Sequence, residues 1–286
     1  MLARVTCADC PVELRTGEVR PIDAIDVTFD FRDDSAGGDP DTDSPTLRRY
    51  HQLLWSKPLP NGVHFVLDAT TPYAYLHHRS DLGEYYLASD SVIATFIRWV
   101  RMRSIIAQVP KMENDAFTAI AYTIGGMLVF PSKRIRGKLT LNGARGLSQK
   151  ISDRLDLPLE CVGRYYLRQP SPLSEAIERY SDFFERFDDF DGYVRFFLLD
   201  DLVDADSGQV KFFLGFDTFA APAVPADLTT YLEYRRLTIC RRRSNLRSLR
   251  RPKMRPLVGV FSLPRFGFWC WGGCRCLGRV VGSWRL

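Results

Sequence analysis

The chain has 286 residues, 45% of them hydrophobic and 26% charged, with a formal net charge of +5. That length can bury a sizeable core, and no apolar run approaches the roughly 18 residues a membrane-spanning helix needs. The charge averages two unlike parts: residues 241–286 carry 12 Arg and Lys and no Asp or Glu, which leaves 27 basic against 34 acidic residues, a net of −7, in residues 1–240.

Residues 1–21 are polar and irregular. They contain Cys7 and Cys10, a C-x-x-C spacing that serves zinc or redox chemistry when it caps a helix. Here it precedes any strand, and Pro11 follows it, so it is read as part of an irregular terminus. Residues 25–31 alternate apolar and polar side chains and predict a half-buried strand. Residues 32–44 predict a loop. The aspartates at 30, 33, 34, 39, 41 and 43 read as a solvated acidic run, because a calcium loop would need its distal Glu. Ser44 as N-cap and Pro45 in the first turn start a helix over 45–55, with Leu47, Tyr50 and Leu54 on one face.

Strand-like runs at 64–67, 73–77 and 84–88, separated by Asn61-Gly62 and Leu82-Gly83, predict an antiparallel meander. Ser89-Asp90-Ser91 then predicts the cap of a helix over 91–107. Residues 119–130 are too apolar for exposure, and Gly125-Gly126 divides them into two buried strands. Helices are expected over 142–154, 158–168, 174–187 and 189–203, with Ile177, Tyr180, Phe184 and Phe187 at helical spacing. A late strand is expected at 209–214 and a last helix from 229, using Tyr231, Tyr234 and Leu237. Strands in about 20–130 and helices in about 140–240 make the expected fold α+β. The expected organisation is an irregular stretch over 1–21, one domain over 22–240, and a basic tail over 241–286.

Seven cysteines, an odd number, in a chain whose first residues show no signal-peptide core point to a reducing, cytoplasmic setting. All four histidines fall between 51 and 78. Their neighbours supply cations and a carboxylate, so Arg48, His51, Lys57, His77 and Glu84 form the candidate catalytic group near the junction of helix and meander. On a strand, His77 and His78 point to opposite faces, so only one of them can serve a given site. Gly125-Gly126 and the Gly143-to-Gly146 stretch lack the spacing of a phosphate loop. Among Arg145, Asp153, Arg154, Glu160 and Arg164, burial would force ion pairing. An anion-binding role for Arg145 and Arg154 is the sharper alternative. The residues identify no metal, cofactor or substrate.

The tail allows three readings. Its arginines and interleaved rings suit a nucleic-acid arm, and the same mixture suits a membrane surface. Out-of-frame translation of a GC-rich gene would also give Arg, Gly, Cys and Trp without acids, and this reading is preferred. The spacing of Cys270, Cys274 and Cys276 lacks the second ligand pair of a zinc site.

Several segments carry a resemblance: SPTLRRYHQLLWSKPLPNG (44–62), YLHHRSDLGEYYLASDSVI (75–93), YTIGGMLVFPS (122–132), ISDRLDLPLECVGRYY (151–166) and SPLSEAIERYSDFFERFDDFDGYVRFFLLDDLV (171–203). Over about 25–238 the chain resembles an uncharacterised bacterial family known only as a domain of unknown function. The resemblance implies a bacterial cytosolic protein and carries no catalytic residues with it. Members close with a different helix end after the Tyr-x-x-Tyr matched by Tyr231 and Tyr234, and this chain departs from them after Thr238. The leading functional expectation is a binding or interaction module of unknown ligand. The alternatives are an enzyme acting on a phosphate-bearing or nucleic-acid substrate through residues 48–84, and nucleic-acid binding through the tail.

Overall fold

A computed structural model of the chain describes residues 25–68, 76–80, 83–151, 154–222 and 224–249. Cys7, Cys10, Asp153 and the tail beyond residue 249 lie outside the described residues.

The alternation at 25–31 does not make a strand. Asp26 Oδ1 accepts from the backbone N–H of Thr28 at 2.9 Å, and Asp30 Oδ1 accepts from that of Arg32 at 3.0 Å. These local bonds take donors that a ladder would need, so the segment runs as turns with Val27 and Phe31 buried. A single helical turn, α1 (Pro40–Asp43), interrupts the expected loop. Helix α2 (Pro45–Trp55) follows as the caps predict, with Ser44 Oγ accepting from Leu47 N–H at 3.1 Å.

Strands β1 (Leu67–Asp68), β2 (Leu76–Ser80), β3 (Gly83–Ser91) and β4 (Met127–Pro131) form an antiparallel sheet in the order β1-β2-β3-β4. Gly83, at φ +127°, turns the chain from β2 into β3 with a backbone that favours glycine. The first half of β3 pairs with β2, from Ser80↔Gly83 to Leu76↔Leu87, and its second half pairs with β4, from Leu87↔Pro131 to Ser91↔Met127. Alternation along β3 places Tyr85, Leu87 and Ser89 on one face and Glu84, Tyr86 and Asp90 on the other.

The residues expected to cap a helix at 91 are thus the end of β3. Val129 opposes Ser89 and Leu128 opposes Asp90, and Phe96 at φ 62° leaves the helical region. Only a 3₁₀ turn over Val100–Met102 and the short α3 (Arg103–Ile106) form in this stretch. Helix α4 (Lys111–Ala121) occupies the first part of the apolar run read as two strands, and only β4 is a strand. Between them a Cβ on Gly126 would lie 2.2 Å from the Ala121 carbonyl oxygen, so the chain reverses there on a glycine.

Helix α5 (Leu141–Leu147) is half its expected length, and α6 (Asp156–Tyr166) follows. The 174–187 run breaks into α7 (Ser174–Glu178), α8 (Ser181–Phe184) and a 3₁₀ turn, yet Ile177, Tyr180, Phe184 and Phe187 are all buried as their spacing requires. Helix α9 (Phe190–Phe196) adds Tyr193, Val194 and Phe196 to the same aromatic core. The late strand reduces to one bridge, Val203↔Val210, because a carboxylate rather than a strand takes the N–H of Phe213. Helix α10 (Leu228–Leu249) buries Tyr231 and Tyr234 and continues through residue 240. A sheet-bearing first part and a mostly helical second part make the fold α+β.

Candidate ligand-binding site

The five residues of the candidate catalytic group are divided by the sheet. His51 is buried in a directional hydrogen-bond chain. Trp55 Nε1–H donates to His51 Nδ1 at 2.8 Å, so the neutral ring carries its proton on Nε2. Nε2 lies 2.9 Å from Ser89 Oγ and donates to it. The Ser89 hydroxyl in turn donates to Asp41 Oδ1, while its backbone N–H donates to Asp41 Oδ2 at 2.6 Å. Burial holds the His51 ring down at about 3 and pushes the Asp41 carboxyl up to about 8, against the two bonds from Ser89 that pull it lower. The order Trp55→His51→Ser89→Asp41 is opposite to nucleophile activation, in which the hydroxyl would donate to the imidazole. Arg48 holds α1 from the next turn of α2, its Nε donating to the Asp41 carbonyl at 3.3 Å. Lys57 lies over the rings of Trp55 and Phe196 at 5.7 and 5.0 Å, and burial lowers its ammonium to about 8.

His77 and Glu84 come together elsewhere. His77 Nε2 meets Glu84 Oε1 at 2.8 Å, and its ring stacks on Tyr86 at 4.5 Å. Glu84 and Ser89 are five residues apart on β3 and project from opposite faces. His78 points away from His77, as alternation requires. It stacks on Phe65 at 4.3 Å, with Nδ1 2.8 Å from the Val66 carbonyl oxygen.

The basic residues flagged among the later helices pair as burial demands. Arg145 donates to Asp90 Oδ2 at 2.7 Å and to Asn142, and Arg164 meets Glu160 at 2.6 Å. Arg154 is fully buried against Asp156, Nε donating to Oδ1 at 2.9 Å and Nη2 to Oδ2. Asp156 also accepts from the N–H groups of Leu157 at 3.1 Å and Phe213 at 2.7 Å, which ties the 212–226 loop to the start of α6. Nη2 has a further, long contact to the Leu214 carbonyl oxygen at 3.5 Å. Nη1 has no acceptor among the described residues.

Arg154 lines a cavity of about 490 Å³ between that loop and α10. Phe212, Phe213, Leu214, Val224 and Leu237 supply apolar wall, and Thr230 and the exposed Glu233 stand on the α10 side. Only Arg154 was visible in the sequence as a candidate here. Asp156, Glu233 and the loop carry no motif, and Asp41 was one aspartate among six until the fold buried it.

A family model, described as a family of unknown function (DUF6994), matches residues 25–245. The chain belongs to that family. The matched span contains every cavity-lining residue and ends inside α10, beyond the boundary near 238 that the resemblance set. No curated protein and no solved structure matches the chain. Among the described residues, no helix is long and apolar enough to cross a membrane.

Proposed function

We propose that this DUF6994 protein is a binding module that takes a small organic molecule in the cavity between the 212–226 loop and α10. One observation carries the reading. A fully buried guanidinium, Arg154, lines a 490 Å³ cavity and keeps two N–H groups without an acceptor among the described residues. A ligand atom or ordered water at Nη1 would complete the hydrogen bonding of the guanidinium. Ligand pockets combine apolar side chains with a few polar groups, and this cavity exposes the two in similar measure. A fragment screen by ligand-observed NMR on the full chain tests it. Hits that disappear when Ala226→Phe enlarges a lining side chain support the reading, and a screen without any such hit refutes it.

A second reading keeps the catalytic group, and its specific support is the 2.8 Å contact between His77 and the half-exposed Glu84. On this reading the pair alone acts as a general base toward a phosphate-bearing substrate, because the sheet separates it from Arg48, His51 and Lys57. His77→Gln with an unchanged melting temperature and undiminished turnover would remove it. We adopt a reducing cytoplasmic setting as part of the proposal, supported by the buried free thiol of Cys161. A third reading assigns nucleic-acid binding to the basic segment 241–286.

A further inference from the structure

We infer that the cavity selects an amphipathic molecule with a neutral carbonyl oxygen and an amino group, and that it rejects phosphate-like and carboxylate anions. The inference rests on the small-molecule reading above and adds the class of ligand. Its basis is the charge around Arg154. Asp156 accepts four hydrogen bonds, from Arg154 Nε, Arg154 Nη2, Leu157 N–H and Phe213 N–H, so the guanidinium arrives at the cavity already neutralised by an immobile partner. What it offers through Nη1 is therefore donor geometry with little net attraction for an anion.

The next fixed charge on the lining is the carboxylate of Glu233, on the same α10 face as Thr230 and Leu237. Among the described residues, Arg154, its partner Asp156 and Glu233 sum to one negative charge. A phosphate would meet that excess, while an ammonium placed toward Glu233 would be favoured by it. Between the two polar ends Phe212, Leu214, Val224 and Leu237 contribute apolar surface beside polar surface of similar extent, which suits a small amphipathic body. A water takes about 30 Å³ of liquid volume, so 490 Å³ accommodates a molecule of amino-acid or dipeptide size.

The test compares four probes on the full chain by isothermal titration calorimetry. L-Tryptophanamide has the body, the amine and the carbonyl. Tryptamine lacks the carbonyl, N-acetyl-L-tryptophan carries a carboxylate and no amine, and inorganic phosphate is the bare anion. Tryptophanamide is expected to bind, tryptamine to bind roughly tenfold more weakly for want of the Nη1 acceptor, and the two anions not to bind. Glu233→Gln, an exposed and fold-neutral change, is expected to weaken tryptophanamide roughly three- to fivefold, the size of an exposed ion pair. Ala226→Phe is expected to abolish binding. Three results would overturn the class while leaving the site in place: N-acetyl-tryptophan or phosphate bound as tightly as the amide, tryptamine bound as tightly as the amide, or Glu233→Gln without effect, each with binding still lost in Ala226→Phe. Failure of every probe to give binding sensitive to Ala226→Phe would overturn the small-molecule reading itself, and this inference with it.

Discussion

The indole N–H of Trp55 donates to Nδ1 of His51 at 2.8 Å, and that one bond decides the tautomer of a buried imidazole. With Nδ1 an acceptor, Nε2 is the donor, and the hydroxyl of Ser89 is turned toward Asp41. Trp55 and His51 are one helical turn apart on α2, so the helix itself presents the pair.

Replacing Trp55 by Phe removes the donor and strands Nδ1 in the core. The expected loss is about 1–3 kcal/mol, measured by urea unfolding. In ¹⁵N NMR the wild-type His51 ring should show the Nε2–H tautomer and no titration between about pH 5 and 8, since burial holds it near 3.

Stability should fall as pH rises from about 6.5 to 8. Asp41 keeps its proton in the folded state up to about 8 but loses it near 3.8 when unfolded, so between those values the native state holds the extra proton and is weakened by rising pH. His51 acts oppositely: from about 3 to 6.5 the unfolded chain binds the extra proton, and rising pH stabilises the fold. His78, also lowered by burial, adds to that side. The effects offset one another between about 4 and 6.5 and leave Asp41 alone above, at about 1.4 kcal/mol per pH unit. Asp41→Asn should abolish the fall above 6.5 and expose a rise below it. Chemical unfolding at half-unit pH steps reads both slopes.

The Arg154–Asp156 pair should resist single substitutions badly and a double one better. Asp156→Ala leaves a buried guanidinium uncompensated and two backbone N–H groups without their acceptor, for an expected loss of about 3–5 kcal/mol. Arg154→Met with Asp156→Leu removes both charges and should recover part of it. A thermal double-mutant cycle showing simple additivity would contradict the pairing.

Gly126→Ala is expected to destabilise the fold by about 3 kcal/mol. The added methyl would approach the Ala121 carbonyl oxygen to 2.2 Å, and that oxygen belongs to the end of α4 rather than to a side chain that could move. Calorimetric melting of the purified variant checks it.

Truncation after Leu249 should leave the melting temperature within about 2 °C. The family match stops at 245, and among the residues whose burial is described the core and its packed neighbours extend to Ile239. Any DNA or RNA binding that survives the truncation with an unchanged salt slope would remove the tail from consideration as a nucleic-acid arm.

The sequence by itself determined the elements whose causes are local. Ser44 and Pro45 placed the start of α2, Gly83 marked the β2–β3 hairpin, and the spacing of Ile177, Tyr180, Phe184 and Phe187 marked a buried helical face even though the helix is broken. Alternation also foretold that His77 and His78 would part. Where an alternating or capping pattern had two outcomes, side-chain bonds or tertiary partners chose. Asx turns took residues 25–31 out of the sheet, and β4 drew Ser89–Ser91 into it in place of a helix cap. The Asp156 carboxylate claimed the N–H of Phe213 and turned the expected strand there into a cavity wall. The strand fate of Ser89–Ser91 and the fate of Phe213 depend on distant partners, as in Asp156–Phe213, 57 residues apart. A hydrogen bond of that span leaves no periodicity in the chain, because the residue that makes it is chosen by the fold around it and not by its neighbours in sequence.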